Sequence, residues 1–181
     1  MLQIVAGEFK SKKLALPPRV NTRPVSQKVR AAIFNTLGDR VVEASVLDLY
    51  SGSGAIGLEA LSRGANSVVL VEKDNKAAQT IRKNIHILSA DKKVKLVCRD
   101  VEKYIADTMA QYDIVIIDPP YKLFTTTLVN KVASLVQYGG IIVVSCSSKS
   151  YLDGLGTELE VVRQKNYGDT QIIYIERKSL K

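Results

Sequence analysis

Four acidic residues lie at or near the ends of apolar runs in the middle of the chain. They are Asp48, Glu72, Asp100 and Asp118. Carboxylates accept hydrogen bonds from hydroxyl and amino groups, and they can hold a cation. Because the carboxyl ends of parallel strands meet at one edge of a sheet, this spacing predicts that the four side chains line one ligand-binding edge.

The fourth acid opens the motif Asp118-Pro119-Pro120-Tyr121, called here the catalytic motif. Proline fixes its own φ and restricts the preceding residue, so the Asp118 carboxylate and the Pro119 carbonyl are held in place at low entropic cost. The Tyr121 ring offers a face on which a nucleobase can stack.

Two such acceptors could bind both N–H groups of an exocyclic amine on a stacked base. They would pull the nitrogen toward tetrahedral geometry and localise its lone pair for attack on an electrophile. We therefore predict that Asp118, Pro119, Pro120 and Tyr121 form the catalytic group. A target base inside a helix must first be extruded.

A glycine-rich stretch lies between a predicted strand and a predicted helix. Gly52-Ser53-Gly54-Ala55-Ile56-Gly57 fits G-x-G-x-x-G, and Glu72 follows Gly52 by 20 residues. This pattern is also that of a dinucleotide site. However, Asp48 just before the loop would repel a pyrophosphate and would favour a cation. S-adenosylmethionine carries an ammonium and a sulfonium, so the pattern favours this cofactor over NAD.

In this hypothesis Glu72 accepts hydrogen bonds from the two ribose hydroxyls and Asp100 accepts one from the adenine amino group. The predicted cofactor site comprises Asp48, Tyr50, Ser51, Gly52, Ser53, Gly54, Glu72, Lys73, Asp100, Val101 and Asp118.

The elements that position these residues alternate from residue 45 onward. The pattern predicts strands at 46–50, 67–71, 94–98, 112–117 and 141–146, with helices at 55–63, 75–88, 101–109 and 126–136. Strands this apolar are typical of a parallel sheet covered on both faces. Two last strands, at 158–165 and 171–177, have no room for a helix between them and should form an antiparallel hairpin. We predict an α/β fold: a doubly wound, Rossmann-like sheet, mostly parallel, with a C-terminal antiparallel hairpin.

The N-terminal segment is basic. Residues 1–40 carry +6 of the net charge of +8. They should form a short hairpin and a helix at 27–37 that begins at Ser26. We predict an arm at 1–40, packed on a main domain at 41–181. A basic arm favours a polyanionic partner. The candidates for phosphate contacts are Lys10, Lys12, Lys13, Arg19, Arg23 and Arg30.

Several classes of protein are disfavoured by composition. The sequence shows no long apolar run typical of a membrane span or a signal peptide. With two cysteines, no Cys-x-x-Cys pair and one histidine, a disulfide framework and a zinc site are both disfavoured. We expect an intracellular protein without metal, in which Cys98 and Cys146 are buried thiols.

The motifs also resemble a known group of enzymes. The catalytic motif, with Leu47-Asp48-Leu49-Tyr50-Ser51-Gly52-Ser53-Gly54 upstream, resembles S-adenosylmethionine-dependent amino-methyltransferases that act on DNA adenine N6, RNA guanine N2 or protein glutamine N5. Over nearly its full length the chain is similar to the bacterial enzymes that methylate N2 of a guanine in 16S ribosomal RNA. The matching stretches are Ile4-Val5-Ala6-Gly7, Arg23-Pro24, Val29-Arg30, Phe34-Asn35 and residues 57–65.

The resemblance implies a cytoplasmic, monomeric class I methyltransferase that converts S-adenosylmethionine to S-adenosylhomocysteine. It also implies ribosomal RNA, or a small-subunit assembly particle, as the partner. The chain departs from the family pattern at Val25, where threonine is usual, and at Ala31, where an acid is usual. Tyr50 and Tyr121 stand where the family prefers phenylalanine, and they keep the stacking surface.

Three alternatives remain at this stage. A DNA adenine-N6 methyltransferase usually carries a separate target-recognition region, for which this chain has no spare length. A protein glutamine methyltransferase does not explain the basic arm. A non-catalytic nucleic-acid-binding module with a relic cofactor fold does not explain an intact catalytic motif beside Asp48.

Overall fold

The protein is described by a computed structural model that covers residues 2–18 and 25–179. The helices are α1 (Gln27–Leu37), α2 (Ala55–Ser62), α3 (Asn75–Ile87), α4 (Val101–Asp107) and α5 (Thr126–Val132). The strands are β1 (Leu2–Gln3), β2 (Lys13–Leu14), β3 (Ser45–Leu49), β4 (Ser67–Glu72), β5 (Val94–Cys98), β6 (Tyr112–Ile117), β7 (Val136–Ser147), β8 (Leu159–Tyr167) and β9 (Thr170–Arg177). Short 3-10 turns lie at Gly38–Val41, Tyr121–Leu123 and Ala133–Leu135.

Within the described ranges, seven strands form one sheet in the order β5-β4-β3-β6-β7-β9-β8. The strands from β5 to β7 are parallel, whereas β9 pairs antiparallel with both β7 and β8. The predicted doubly wound α/β sheet with its C-terminal hairpin is confirmed. The chain leaves β3 toward β4 on one side and returns to β6 on the other, which places the crevice for a ligand at the carboxyl ends of these strands.

Alternate side chains of each central strand enter two separate apolar cores. On β3, Val46 packs in one core with residues of α1, α2 and α3. Leu47 and Leu49 pack in the other with residues of α4 and α5. A strand buried on both faces must be apolar at nearly every position, which is why Asp48 in the middle of β3 is conspicuous.

One strand begins earlier than the sequence pattern predicts. The pattern predicts a strand that begins at residue 141, but β7 already begins at Val136. The pairing of β6 with β7 shifts register between Tyr112 and Ile114, and Gly139 has a φ of 78°. Gly139 and Gly140 therefore allow an irregularity inside a longer strand, as is common at bulges.

Residues 2–14 form a hairpin that packs on the sheet domain. β1 and β2 pair antiparallel, and α1 begins at Ser26, whose hydroxyl accepts a hydrogen bond from the Val29 amide at 3.2 Å. Leu2, Ile4 and Leu14 share the core that contains α1, α2 and α3. The division of the chain at residue 40 stays a prediction.

A buried charge cluster fastens this hairpin to the domain. Glu59 on α2 is fully buried, and its carboxylate is paired with Arg30 Nε at 3.3 Å and Arg63 Nε at 2.9 Å. The same carboxylate accepts hydrogen bonds from the backbone amides of Val5 at 2.8 Å and Ala6 at 3.0 Å.

The prediction that Arg30 contacts RNA phosphate is therefore wrong. Arg30 is fully buried, pairs with Glu59 and donates to the Gln3 carbonyl. Burial lowers the pKa of Arg30, and the neighbouring Glu59 opposes that effect. A buried guanidinium is retained because its partners hold it, so this arginine is structural.

The environment of one cysteine also differs from the expectation. Cys146 is buried in β7, whereas Cys98 is exposed at the end of the edge strand β5.

In the described part of the chain, no helix is long and apolar enough to cross a membrane. The same residues contain no group of three or more acidic, histidine or cysteine side chains suited to a metal ion.

Candidate active site

The structure brings three of the four predicted acids together at the carboxyl edge of the sheet. Asp48 lies on β3 between β4 and β6, and the charges of Asp118 and Glu72 both act on it. The backbone amide of Asp118 donates to the Leu49 carbonyl at 3.5 Å, so the catalytic motif leaves β6 directly beside the end of β3.

Asp48 is the most unusual group of the site. Its side chain is 1% exposed, and Oδ2 accepts a hydrogen bond from the Gly57 amide in the first turn of α2 at 2.9 Å. Among the described residues, Oδ1 has no hydrogen-bond partner. Burial raises the pKa of Asp48 to about 8, and the charges of Asp118 and Glu72 add to this rise. A nearby cation would stabilise the ionised form of such an acid.

The glycine loop, residues 50–54, turns sharply between β3 and α2. Tyr50, Gly52 and Gly54 all have left-handed backbone conformations, with φ values of 63°, 56° and 76°. A side chain at Gly57 would place its Cβ 2.4 Å from a methyl group of Leu70. The two positive-φ glycines and the close packing at Gly57 explain why the loop requires glycine at these spacings.

Side chains from two other elements brace this loop. Glu72 Oε2 accepts from the Gly52 amide at 2.9 Å, and the buried Asn84 on α3 donates to the Ser53 carbonyl at 2.9 Å. Within the loop, the Ser51 hydroxyl donates to the Asp48 carbonyl at 2.7 Å. The loop is thus held rigidly in an orientation that a ligand could use without reordering it.

A second group of predicted cofactor residues meets at the end of β5. Asp100 begins α4, where its Oδ1 accepts from the Glu102 amide at 3.0 Å, and its Oδ2 lies 3.9 Å from Lys73 Nζ. Val101 is 3% exposed. Tyr50 packs against the apolar core that contains Val101, and burial raises the pKa of Tyr50 to about 12, with contributions from the charges of Glu102 and Asp100.

The catalytic motif runs from the interior to the surface. Asp118 is partly buried and Pro119 is buried, whereas Pro120 and Tyr121 are exposed. Burial raises the pKa of Asp118 to about 6, and a hydrogen bond with Ser145 on β7 works against this rise. The Tyr121 hydroxyl lies 2.7 Å from Thr170 Oγ1 at the start of β9.

The predicted RNA contacts divide into three groups. Lys10, Lys12 and Lys13 are exposed in the N-terminal hairpin and are free to meet phosphate. Arg30 is buried, as described above. Arg19 and Arg23 lie outside the described residues.

Sequence reasoning missed three residues that shape the site. Asn84 braces the glycine loop, Ser145 contacts Asp118, and Thr170 contacts Tyr121. Asn84 left one signal in the sequence, since it is an amide on the otherwise apolar face of α3. Ser145 and Thr170 left none, because their partners come from other strands of the sheet.

The arrangement identifies the class of fold. A doubly wound sheet with a braced glycine loop and acids at its carboxyl edge is the Rossmann-like fold of class I methyltransferases. The putative methyltransferase yhhF from Escherichia coli has the same structure, with a TM-score of 0.89, 28% identity and 99% of both chains covered. A putative RNA methyltransferase from Pyrococcus horikoshii shares the fold at 17% identity, with a TM-score of 0.76 over 92% of this chain and 94% of its own.

The family follows from sequence comparison. The family model described as "Conserved hypothetical protein 95" matches residues 2–176. "Ribosomal RNA small subunit methyltransferase D" of Escherichia coli strain K12 is 36% identical over 121 residues, covering 67% of this chain and 61% of that protein. "Putative rRNA methyltransferase YlbH" of Bacillus subtilis strain 168 is 30% identical, covering 97% of this chain and all of its own. The chain belongs to the family that this model describes, and it spans about three fifths of the length of the Escherichia coli relative.

Proposed function

We propose that the protein transfers a methyl group from S-adenosylmethionine to the N2 amine of a guanine in 16S ribosomal RNA. The observation that carries this proposal is the position of Asp118. It leaves β6 beside the glycine loop, close enough to Asp48 for its charge to raise the pKa of that acid. The acceptor for the target amine and the loop for the cofactor thus share one crevice.

The residues present fit the cofactor. The buried Oδ1 of Asp48 has no hydrogen-bond partner among the described residues, and a positively charged ligand would satisfy it. Glu72 would accept from the ribose hydroxyls and Asp100 from the adenine amine, with Tyr50, Lys73 and Val101 around them. The cofactor supplies an electrophilic methyl group on a sulfonium.

The catalytic motif would act on the target amine. The Asp118 carboxylate and the Pro119 carbonyl accept its two N–H groups, and the Tyr121 ring stacks on the base. In this geometry the amine lone pair would be directed at the methyl group that the cofactor supplies. Asp118 would take up the proton that the amine loses on methylation. Asp118 must be ionised to take up this proton, and its pKa of about 6 favours the ionised form at neutral pH.

The surroundings support an RNA substrate. The exposed Lys10, Lys12 and Lys13 form a basic surface on the N-terminal hairpin. Such a surface suits the phosphates of ribosomal RNA or of a small-subunit assembly particle. We infer that the protein works in the cytoplasm as a monomer and without metal.

A second candidate, adenine-N6 methylation, has one observation in its favour. "tRNA1(Val) (adenine(37)-N6)-methyltransferase" of Bacteroides fragilis is 34% identical over 86 residues. This match covers 47% of this chain and 35% of that protein, whereas the match to the Bacillus subtilis relative spans nearly the whole chain. Guanine N2 therefore has the stronger support.

Nucleoside mass spectrometry tests the proposal. We expect ribosomal RNA from cells that lack the gene to have less N2-methylguanosine than RNA from the parent strain, and the purified protein to restore it with S-adenosylmethionine. A loss of N6-methyladenosine instead would show that the target base is adenine and not guanine. Unchanged RNA, together with no heat of binding for S-adenosylhomocysteine, would support the non-catalytic alternative.

A further inference from the structure

The loop that follows β7 lies beside the catalytic motif and exposes a second tyrosine. Tyr151 is 80% exposed, compared with 51% for Tyr121. Across the described residues, no hydrogen bond from the Tyr151 side chain is seen, so its ring does not stabilise the fold through that hydroxyl. An exposed ring of this kind offers a face on which a nucleobase can stack.

The loop that presents Tyr151 is held by a buried amide. Gln171 on β9 is 1% exposed, and its Nε2 donates to the carbonyls of Ser147 at 2.9 Å and Ser150 at 2.6 Å. The Ser148 amide also donates to the Asp169 carbonyl at 2.9 Å. Because a buried amide that loses its partners is costly, these bonds hold the chain next to Tyr151 in place.

The same end of β9 also holds Tyr121. Its hydroxyl lies 2.7 Å from Thr170 Oγ1, and Thr170 directly precedes Gln171. The Tyr121 side chain and the carbonyl of Ser150, the residue before Tyr151, are therefore bonded to adjacent residues of one strand. Lys122 and Lys149 are exposed next to the two rings in sequence and can reach phosphate.

We propose that Tyr151 is a second stacking platform, which binds a nucleotide that neighbours the target guanine in unpaired RNA. This inference rests on the proposed function, because it takes Tyr121 as the platform for the target base. Two exposed rings suit RNA because every base has a face that stacks on an aromatic side chain. The nearby lysines can contact the phosphates of the backbone between the two bases. The partner is thus single-stranded or locally opened RNA.

The test compares Tyr151→Ala with two control variants. We expect Tyr151→Ala to weaken binding of an unmodified 16S rRNA transcript by about five- to fiftyfold, as for the loss of one stacked base. Tyr151→Phe should bind nearly as well as wild type, because it keeps the ring. Tyr138→Ala is the matched control, since Tyr138 is a half-exposed tyrosine toward the opposite end of β7. It should leave RNA affinity unchanged.

Two results would overturn the inference: RNA affinity of Tyr151→Ala equal to wild type, or Tyr151→Phe as weak as Tyr151→Ala. Affinity is measured by fluorescence anisotropy without methyl transfer, so the proposed function can fail separately. Tyr151-dependent binding without methylation would retain this platform and reject the proposed function. Normal methylation with RNA binding that does not depend on Tyr151 would support the proposed function and reject this platform.

Discussion

Two buried carboxylates of this protein lie in opposite electrostatic surroundings. Glu59, at the junction of the N-terminal hairpin with α2, meets two guanidinium groups and two backbone amides. Asp48, at the carboxyl edge of the sheet, meets one amide and the charges of two other acids. Both side chains are at most 1% exposed, so burial alone does not separate them.

The difference separates an acid that stabilises the fold from one that we propose binds a ligand. Every partner of Glu59 is part of the chain, so its charge is satisfied in the free protein and serves to fasten the hairpin. Asp48 has an oxygen without a partner among the described residues, and burial with two neighbouring acids raises its pKa, so that the free protein favours its protonated form. Sites with perturbed acids of this kind are often functional.

The largest expected effect is at the carboxyl edge of the sheet, where Asp118 lies close to Asp48. Asp118→Ala should lower kcat by about a hundred- to a thousandfold, the usual cost of removing one group that stabilises a transition state. The affinity for S-adenosylhomocysteine should stay nearly unchanged, because Asp118 acts on the amine. Single-turnover methylation with saturating cofactor measures the rate.

Asp118→Asn is the graded control for this experiment. It keeps an acceptor oxygen, so it should retain more activity than Asp118→Ala. In the wild type, kcat should fall as the pH drops below about 6, where Asp118 takes up a proton. A near-normal rate for Asp118→Ala would make this acid structural.

At the junction of the N-terminal hairpin with α2, Glu59→Ala should reduce the free energy of unfolding by about 3–5 kcal/mol, because it leaves Arg30 buried without its partner. Urea denaturation measures this loss. Replacing both residues, as Arg30→Met with Glu59→Leu, should recover part of it. If Glu59→Ala unfolds like wild type, the contrast between the two carboxylates does not hold.

Asp48→Asn should change how stability depends on pH. Native Asp48 keeps its proton up to about pH 8, whereas an ordinary aspartate loses it near 3.8. The native state therefore binds more protons in that range, and the free energy of unfolding falls as pH rises through it. The fall from this one group is at most about 1.4 kcal/mol per pH unit.

The asparagine variant removes this contribution. Between pH 6.5 and 8, above the pKa of Asp118, its stability curve should be flatter than that of wild type. The same variant should bind S-adenosylhomocysteine more weakly. Parallel curves for the two proteins would mean that Asp48 is ionised in the free protein.

Charge reversal at Lys10, Lys12 and Lys13 should weaken RNA binding and leave cofactor affinity unchanged. Each lost phosphate contact reduces the slope of log affinity against log salt by about 0.7–0.9. The control is reversal of Lys92, Lys93 and Lys95, exposed lysines before and within β5, which changes the net charge equally. An equal loss in both triple variants would show that net charge, and not the hairpin, attracts the RNA.

The smallest effect is expected for Tyr121→Phe. The ring remains, so stacking is kept, but the hydrogen bond to Thr170 is lost. A net hydrogen bond contributes about 0.5–1.5 kcal/mol, and an exposed one lies at the low end, so KM for RNA should rise by no more than about threefold. Thr170→Val should give the same change, and the double variant no more than either. Additive losses would mean that the two residues act independently.

Much of the fold was predictable because its signals are local. The apolar runs of β3, β4 and β6, the helical spacing of α1 and the cap at Ser26 each lie within a dozen residues. The positions of Asp48, Glu72 and Asp118 at strand ends follow from the same periodicity. Once the strands are parallel, their carboxyl ends must converge, so the site edge was predictable as well.

The sequence by itself determined the order of the elements, the glycine loop and the acids that line one edge. Only the tertiary structure decided that Arg30 faces Glu59 and not RNA, that Cys98 is exposed on an edge strand, and that Thr170 and Gln171 anchor the two tyrosine loops. These contacts join residues that are 21 to 49 positions apart in the chain. Residue type and spacing reveal the periodicity of a single helix or strand. Which distant residue a side chain contacts depends instead on how whole helices and strands pack together.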